Sequence, residues 1–190
     1  MDNNIIIAGV GGQGTLLASK LIGAAAMLCG YDVKVAESHG MSQRGGSVTT
    51  YVRYSDTKVY SPIVTANADN ILSCELLEGC RMLPFLKHGG RIVTSLQTID
   101  PIPVITGEAE YPHNIRDYYK DAGVEAVCVD AQALSEKAGS QKCANVVLIG
   151  ALAARLTEIP RDIWLTALRD SVPAKLLSIN ERAFDFGYSL

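Results

Sequence analysis

Asn4-Ile5-Ile6-Ile7-Ala8-Gly9-Val10-Gly11-Gly12-Gln13-Gly14 is the stretch on which the fold turns. Asn4–Gly9 is a short β-rich run closed by glycine, the pattern of a buried strand. From Gln13 to Cys29 apolar residues recur at helical spacing, with Leu17, Leu21, Ala24, Ala25 and Leu28 on one face. That helix is apolar nearly all round, which predicts deep packing. Gly30 stops it, and Asp32–Glu37 reads as a second strand. The first forty residues therefore read as a βαβ unit.

Within this unit Gly9, Gly11 and Gly14 make a G-x-G-x-x-G loop between strand and helix. Backbone without side chains turns sharply and approaches a ligand closely, and a helix N-terminus offers N–H groups to an anion. The same glycines also suit a tight strand-to-helix turn that binds nothing. Glu37, 23 residues beyond Gly14, stands where dinucleotide enzymes place the carboxylate for a ribose diol. It reads equally as a strand-end acid facing solvent. Gly12 gives the variant G-x-G-G-x-G, which also suits ATP-dependent adenylating enzymes of ubiquitin-activating type. Those add paired zinc cysteines, and this chain has none.

Downstream, strands and helices alternate. Ser47–Tyr54 alternates and is rich in Val, Thr and Tyr. Ser55-Asp56-Thr57 looks like a hairpin turn with Lys58–Ser61 as a returning edge strand. Asn70–Cys74, Arg91–Ser95 and Ala126–Asp130 read as strands, and Val104-Ile105 as a short edge strand in a proline-rich stretch. Glu75–Lys87, Asn114–Ala122, Gln132–Ala138, Ala144–Leu156, Pro160–Ser171 and Lys175–Phe186 read as helices. The expectation is an α/β fold: Rossmann-like, three-layered, with a mainly parallel sheet, an antiparallel edge hairpin and a helical C-terminal segment. No linker or repeat divides residues 1–190, so one domain is expected.

A second segment carries chemistry: Glu37-Ser38-His39-Gly40-Met41-Ser42-Gln43-Arg44-Gly45-Gly46-Ser47-Val48. It follows strand two, on the side where open α/β sheets bind ligands. Gln43 and Arg44 put an amide and a planar cation, suited to carboxylate or phosphate, beside two glycines. Gly45 and Gly46 let another chain or a ligand approach the backbone. A surface turn whose arginine pairs with a local acid fits the same residues. His39 reads as a polar loop side chain, and His88 and His113 have no metal-ligand spacing.

Composition narrows the class. The 190 residues are 48% hydrophobic and 19% charged, enough apolar content for a real core. Seventeen basic and 20 acidic side chains leave a net charge of −3, with no pull toward a phosphate polymer; nucleic acid is not an expected partner. The start, Met1-Asp2-Asn3-Asn4, lacks a basic signal region. The longest apolar runs, Leu21–Cys29 and Val146–Ala154, are well short of the roughly 20 residues a bilayer needs. A soluble cytoplasmic protein, with no membrane partner, is expected. The five cysteines, Cys29, Cys74, Cys80, Cys128 and Cys143, include no close pair, so no metal site is expected.

Three segments together, Gly9–Gly14, Gly40–Val48 and Asn145–Leu152, resemble the gamma-type domain of the 2-oxoacid:ferredoxin oxidoreductase family, in particular its indolepyruvate-oxidising branch. The likeness covers nearly the whole chain. It implies oxidative decarboxylation of 2-oxoacids, indolepyruvate or another aryl pyruvate, with coenzyme A taking the acyl group and ferredoxin the electrons. Thiamine diphosphate and iron–sulfur clusters would do that chemistry. This chain has neither a Gly-Asp-Gly thiamine-diphosphate motif nor cluster cysteines, so a large alpha subunit would carry both. Gln43 and Arg44 would then reach the partner's active site. Gly9, Gly11, Gly12, Gln13, Gly14, Glu37, Ser42, Gly45 and Gly46 are the candidate cofactor-binding residues, with Gly9–Gly14 an anion-accepting or interface loop. The residues alone leave two other readings open, an NAD(P)-binding oxidoreductase working by itself and a non-enzymatic nucleotide-binding module.

Overall fold

The computed structural model describes residues 1–39, 46–62 and 67–190, the side chain of His39 excepted. Strand β1 (Asp2–Val10) runs through the middle of a six-stranded sheet and is buried from Asn3 onward. Helix α1 (Thr15–Leu28) follows the glycine loop, then strands β2 (Asp32–His39), β3 (Ser47–Ser55) and β4 (Ala68–Ser73). Helix α2 (Leu76–Met82) and a 3-10 turn at Leu83–Phe85 lead into β5 (Leu86–Ser95). The second half holds α3 (Ile102–Ile105), α4 (Ile115–Asp121), β6 (Glu125–Val129), α5 (Ala131–Ala138), α6 (Ala144–Ala153), α7 (Arg161–Ser171) and α8 (Leu177–Tyr188).

The strand order is β2-β3-β1-β4-β5-β6. The pairs β1–β4, β4–β5 and β5–β6 are parallel, while β1–β3 and β2–β3 are antiparallel. The expected mixed sheet is therefore present, and its antiparallel part is β3 paired with both β1 and β2 rather than a hairpin at Ser55-Asp56-Thr57. Residues 58–62 form no strand. Instead the Val59 N–H donates to the Asp32 carboxylate at 2.8 Å, which folds this segment over the start of β2. The first βαβ unit keeps its direction, but β3 lies between its two strands.

Alternation along the central strands sorts side chains onto two faces. Ile5 and Ile7 join Leu72, Val93 and the cores of α1, α5, α6, α7 and α8 on one face. Ile6, Ile71 and Ile92 pack with Leu76 of α2 and with Ile115 and Tyr119 of α4 on the other. Each of these fully buried branched side chains contributes roughly 1.5–3 kcal/mol. Three layers result, as the sequence pattern predicts. Helix α6 is buried from Asn145 to Ala153, which explains its apolar run without a membrane. No helix among the described residues is long and apolar enough to cross one.

Two further expectations fail for local reasons. Val104 and Ile105 belong to the helical turn α3, because Pro101 and Pro103 set helix-compatible φ at its start and Thr106 N–H closes onto Ile102 O at 2.9 Å. Leu28, the last residue of the helix, is 49% exposed. The buried face of α1 is instead Ala18, Leu21, Ile22, Ala25 and Ala26.

Candidate functional site

The glycine loop leaves β1 at its carboxyl end and is held from three sides. Gly11 N–H donates to Gly46 O at 2.9 Å, tying the loop to the start of β3. Gly12 and Gly14 have φ of +104° and +82°, conformations that favour glycine. At Gly14 there is also no room: a Cβ would come within 2.5 Å of the Asn145 Nδ2. That amide nitrogen donates to Gly14 O at 3.2 Å, so the first turn of α6 props the loop.

Gln13 is the internal brace. Its Oε1 accepts Val10 N–H at 2.7 Å, and its Nε2 donates to Cys74 O and to Gln97 Oε1, both at 3.0 Å. Gln132 Nε2 donates to the same Gln97 oxygen at 2.8 Å. Gln13 thus joins the ends of β1, β4 and β5 and has no N–H left for a ligand.

A cleft opens on each side of the loop. One, of about 390 Å³, is lined by Gly11, Gly12, Gly14, Thr15, Leu16, Glu37 and Val48. Helix α1 makes no side-chain capping bond, so its first-turn N–H groups are available to an anion here. Glu37 does reach this cleft, as its strand-end position suggests. It does so from β2, with Thr50 of β3 between it and Ile7 of β1. The other cleft, of about 280 Å³, is lined by Gly12, Gln13, Cys74, Ser95, Gln97, Gln132, Gln141, Lys142, Ala144, Asn145 and Leu148. It lies over the carboxyl ends of β1, β4 and β5, between strands whose connections run to opposite sides of the sheet, where open α/β folds bind ligands.

Gly9, Gly11, Gly12, Gln13, Gly14, Glu37 and Gly46 are thus gathered around one loop. Ser42, Gln43, Arg44 and Gly45 lie outside the described residues. Gln97, Gln132 and Asn145 are the site residues that the sequence did not single out as chemistry. Asn145 had a signal, its place at the head of the third matched segment. The two glutamines had none, being single amides in unrelated segments.

Below this rim, Glu75 is almost fully buried and caps α2. Its carboxylate accepts Glu78 N–H at 2.7 Å, Ile99 N–H at 3.1 Å and the Tyr111 hydroxyl at 2.6 Å, which fixes both ends of the excursion around α3. Burial first, and Glu75 second, push the Tyr111 phenol up. At the opposite end of the sheet, Tyr54 donates to Glu158 at 2.5 Å and Asn3 Nδ2 donates to the same oxygen at 2.9 Å. That cluster is remote from the loop and fixes α7's approach to the sheet.

Burial raises the thiol pKa at all five cysteines, and pushes Cys74 up to about 12. None is an activated thiolate. Among the described residues no group of three or more His, Cys, Asp or Glu side chains could hold a metal ion, so these residues do not fit an iron–sulfur cluster.

The family model described as pyruvate ferredoxin/flavodoxin oxidoreductase matches residues 4–190. The indolepyruvate oxidoreductase subunit IorB of Thermococcus kodakarensis is 41% identical, over 98% of this chain and 94% of that one. The 2-oxoglutarate synthase subunit KorC of Methanothermobacter marburgensis is 31% identical, over 100% and 97%. The 2-oxoglutarate:ferredoxin oxidoreductase of Magnetococcus marinus, solved with 2-oxoglutarate, coenzyme A and succinyl-CoA bound, shares the fold with a TM-score of 0.76 at 24% identity. That likeness covers 99% of this chain and 30% of the solved chain. From the glycine loop to the last helix, the chain belongs to the pyruvate ferredoxin/flavodoxin oxidoreductase family.

Proposed function

We propose that this chain is the small subunit of a thiamine-diphosphate-dependent 2-oxoacid:ferredoxin oxidoreductase acting on indolepyruvate or a related aryl pyruvate. The observation that carries the reading is end-to-end likeness to a subunit named for indolepyruvate, at 41% identity. The site chemistry agrees with it. The described residues offer a glycine loop at a helix N-terminus and a polar cleft beside it. Thiamine diphosphate, when bound on the large subunit, supplies the carbanion chemistry, and iron–sulfur clusters there carry electrons to ferredoxin.

This chain's part is to complete that site. The first turn of α1, opened by Gly12 and Gly14, receives a phosphate of coenzyme A. Ser42, Gly45 and Gly46 let the co-substrate pass close to backbone, and Gln43 and Arg44 reach toward the partner's active site, toward the substrate carboxylate or a coenzyme A phosphate. The complex works in the cytoplasm, and this chain alone has no turnover.

The test is co-expression with the large subunit, followed by affinity purification and assay of indolepyruvate-dependent ferredoxin reduction. Stoichiometric co-purification is expected, and so is loss of turnover in the Arg44→Ala complex with assembly intact. A chain that never associates with the large subunit overturns the subunit reading. Unchanged turnover overturns the role of Arg44.

A further inference from the structure

The connection from β5 to α4 runs from Leu96 to Asn114, 19 residues. Such connections usually take about 2–6 residues, and long ones tend to be functional lids or binding loops. From Thr98 to Asn114 no residue is buried. At the tip, Ile102 and Ile105 are 65% and 73% exposed. Apolar packing therefore does little to hold this segment down. The tip nonetheless keeps its own shape. Thr106 N–H donates to Ile102 O at 2.9 Å, and Glu108 and Ala109 N–H donate to Pro103 O at 2.8 and 3.0 Å.

Attachment to the body converges on one atom. Glu75 Oε1 accepts Ile99 N–H at 3.1 Å at one end of the segment and the Tyr111 hydroxyl at 2.6 Å at the other. Leu77 N–H adds a bond to the same hydroxyl. The other carboxylate oxygen, Oε2, accepts Glu78 N–H at 2.7 Å, so α2 holds Glu75 independently of the segment. Outside these contacts the chain is pinned again. Leu76 N–H donates to Gln97 O at 2.9 Å, and Ile115 is buried in the core that includes Ile6, Ile71 and Ile92. Thr98 on one side and residues 112–114 on the other are left as pivots. With the segment down, Glu75 is 1% exposed. With it lifted, water takes over the two bonds to Oε1, so opening exchanges hydrogen bonds instead of abolishing them.

We propose that residues 99–111 form a hinged flap, which lifts and closes as one unit with Glu75 Oε1 as its latch. The flap starts two residues beyond Gln97, which lines the 280 Å³ cleft, so it swings at the rim of that cleft. This device does not depend on the subunit reading.

Native-state hydrogen exchange of the full chain, followed by nitrogen-15 NMR at rising urea below the unfolding transition, tests the proposal. The reporter is Ile99 N–H, whose acceptor is the latch. In the unaltered chain it should exchange at least about tenfold faster than Val93 N–H in the middle of β5. Its rate should also depend less steeply on urea, because lifting the flap exposes little surface. Tyr111→Phe keeps the ring and removes the hydroxyl at the far end of the segment. If the segment moves as a unit, Ile99 exchange rises about tenfold in this variant and its urea dependence stays shallow, as expected for the loss of a hydrogen bond to a charged group. An Ile99 rate unchanged by Tyr111→Phe means that the two ends are held separately and overturns the proposal. Exchange of Ile99 as slow and as steeply urea-dependent as that of Val93 overturns it too, since the segment then leaves only when the whole fold does.

Discussion

At the residue scale, the structure changes the meaning of Gln13. Read from sequence, it is one member of a glycine loop that meets a ligand. In the fold its amide makes three hydrogen bonds, two of them to backbone groups. Replacing it with leucine leaves Val10 N–H and Cys74 O without this partner at the carboxyl ends of β1 and β4. Leaving a buried polar group unpaired costs about 1–3 kcal/mol. Gln13→Leu should therefore lower stability by roughly 2–3 kcal/mol, read as a lower urea midpoint at unchanged slope. A midpoint equal to that of the unaltered chain would show that the brace is dispensable. Glu37 also changes. It lies at the cleft, as expected, but on a strand one place farther from the loop than a ribose-binding acid needs. The chemistry at Gln43 and Arg44 stays with the sequence, because those residues lie outside the described part of the chain.

At the level of elements, most strands and helices were legible because their signals are local. The run Asn4–Gly9, the glycine stop at Gly30 and the alternation through Ser47–Tyr54 each depend on near neighbours only. The insertion of β3 between β1 and β2 depends on which strands pair, and pairing leaves no local mark. The same holds for Gln97 and Gln132, which meet only because β5 ends and α5 begins beside the same loop. In the sequence Asn145–Leu152 is a family segment with no physical reason attached, and the structure supplies two. Asn145 props the glycine loop, and Gly150 lets α6 approach α8. A Cβ on Gly150 would lie 2.1 Å from Phe184 O, and one on Gly187 would lie 1.9 Å from Val147 O. Backbone cannot rotate out of the way, so the helices would have to separate. Gly150→Ala should cost about 3 kcal/mol or more. Gly23, in the middle of α1, has only ordinary contacts, with Val33 at 3.6 Å and Val35 at 3.7 Å from such a Cβ. Gly23→Ala should stabilise the fold by about 0.5–1 kcal/mol. Opposite signs in thermal or urea unfolding are the expected result, and two destabilising changes would contradict this account of the α6–α8 crossing.

For the molecule as a whole, the strand order bears on the dinucleotide-enzyme reading. In a dinucleotide-binding sheet, the strand with the ribose acid lies next to the strand that feeds the glycine loop. Here Glu37 aligns with Thr50, and Thr50 with Ile7, so two strand spacings, about 10 Å, separate the acid from β1. Val48 lines the cleft between them. A pyrophosphate on the first turn of α1 would carry its ribose across β3, onto a valine rather than a carboxylate. The anion-accepting part of the site survives this topology, and the ribose-reading part does not. Titration of the full chain with NAD and with NADP in a calorimeter should therefore give no binding tighter than on the order of millimolar. Micromolar binding of either nucleotide would mean that the inserted strand does not separate Glu37 from the loop's ligand, and would restore the dinucleotide reading.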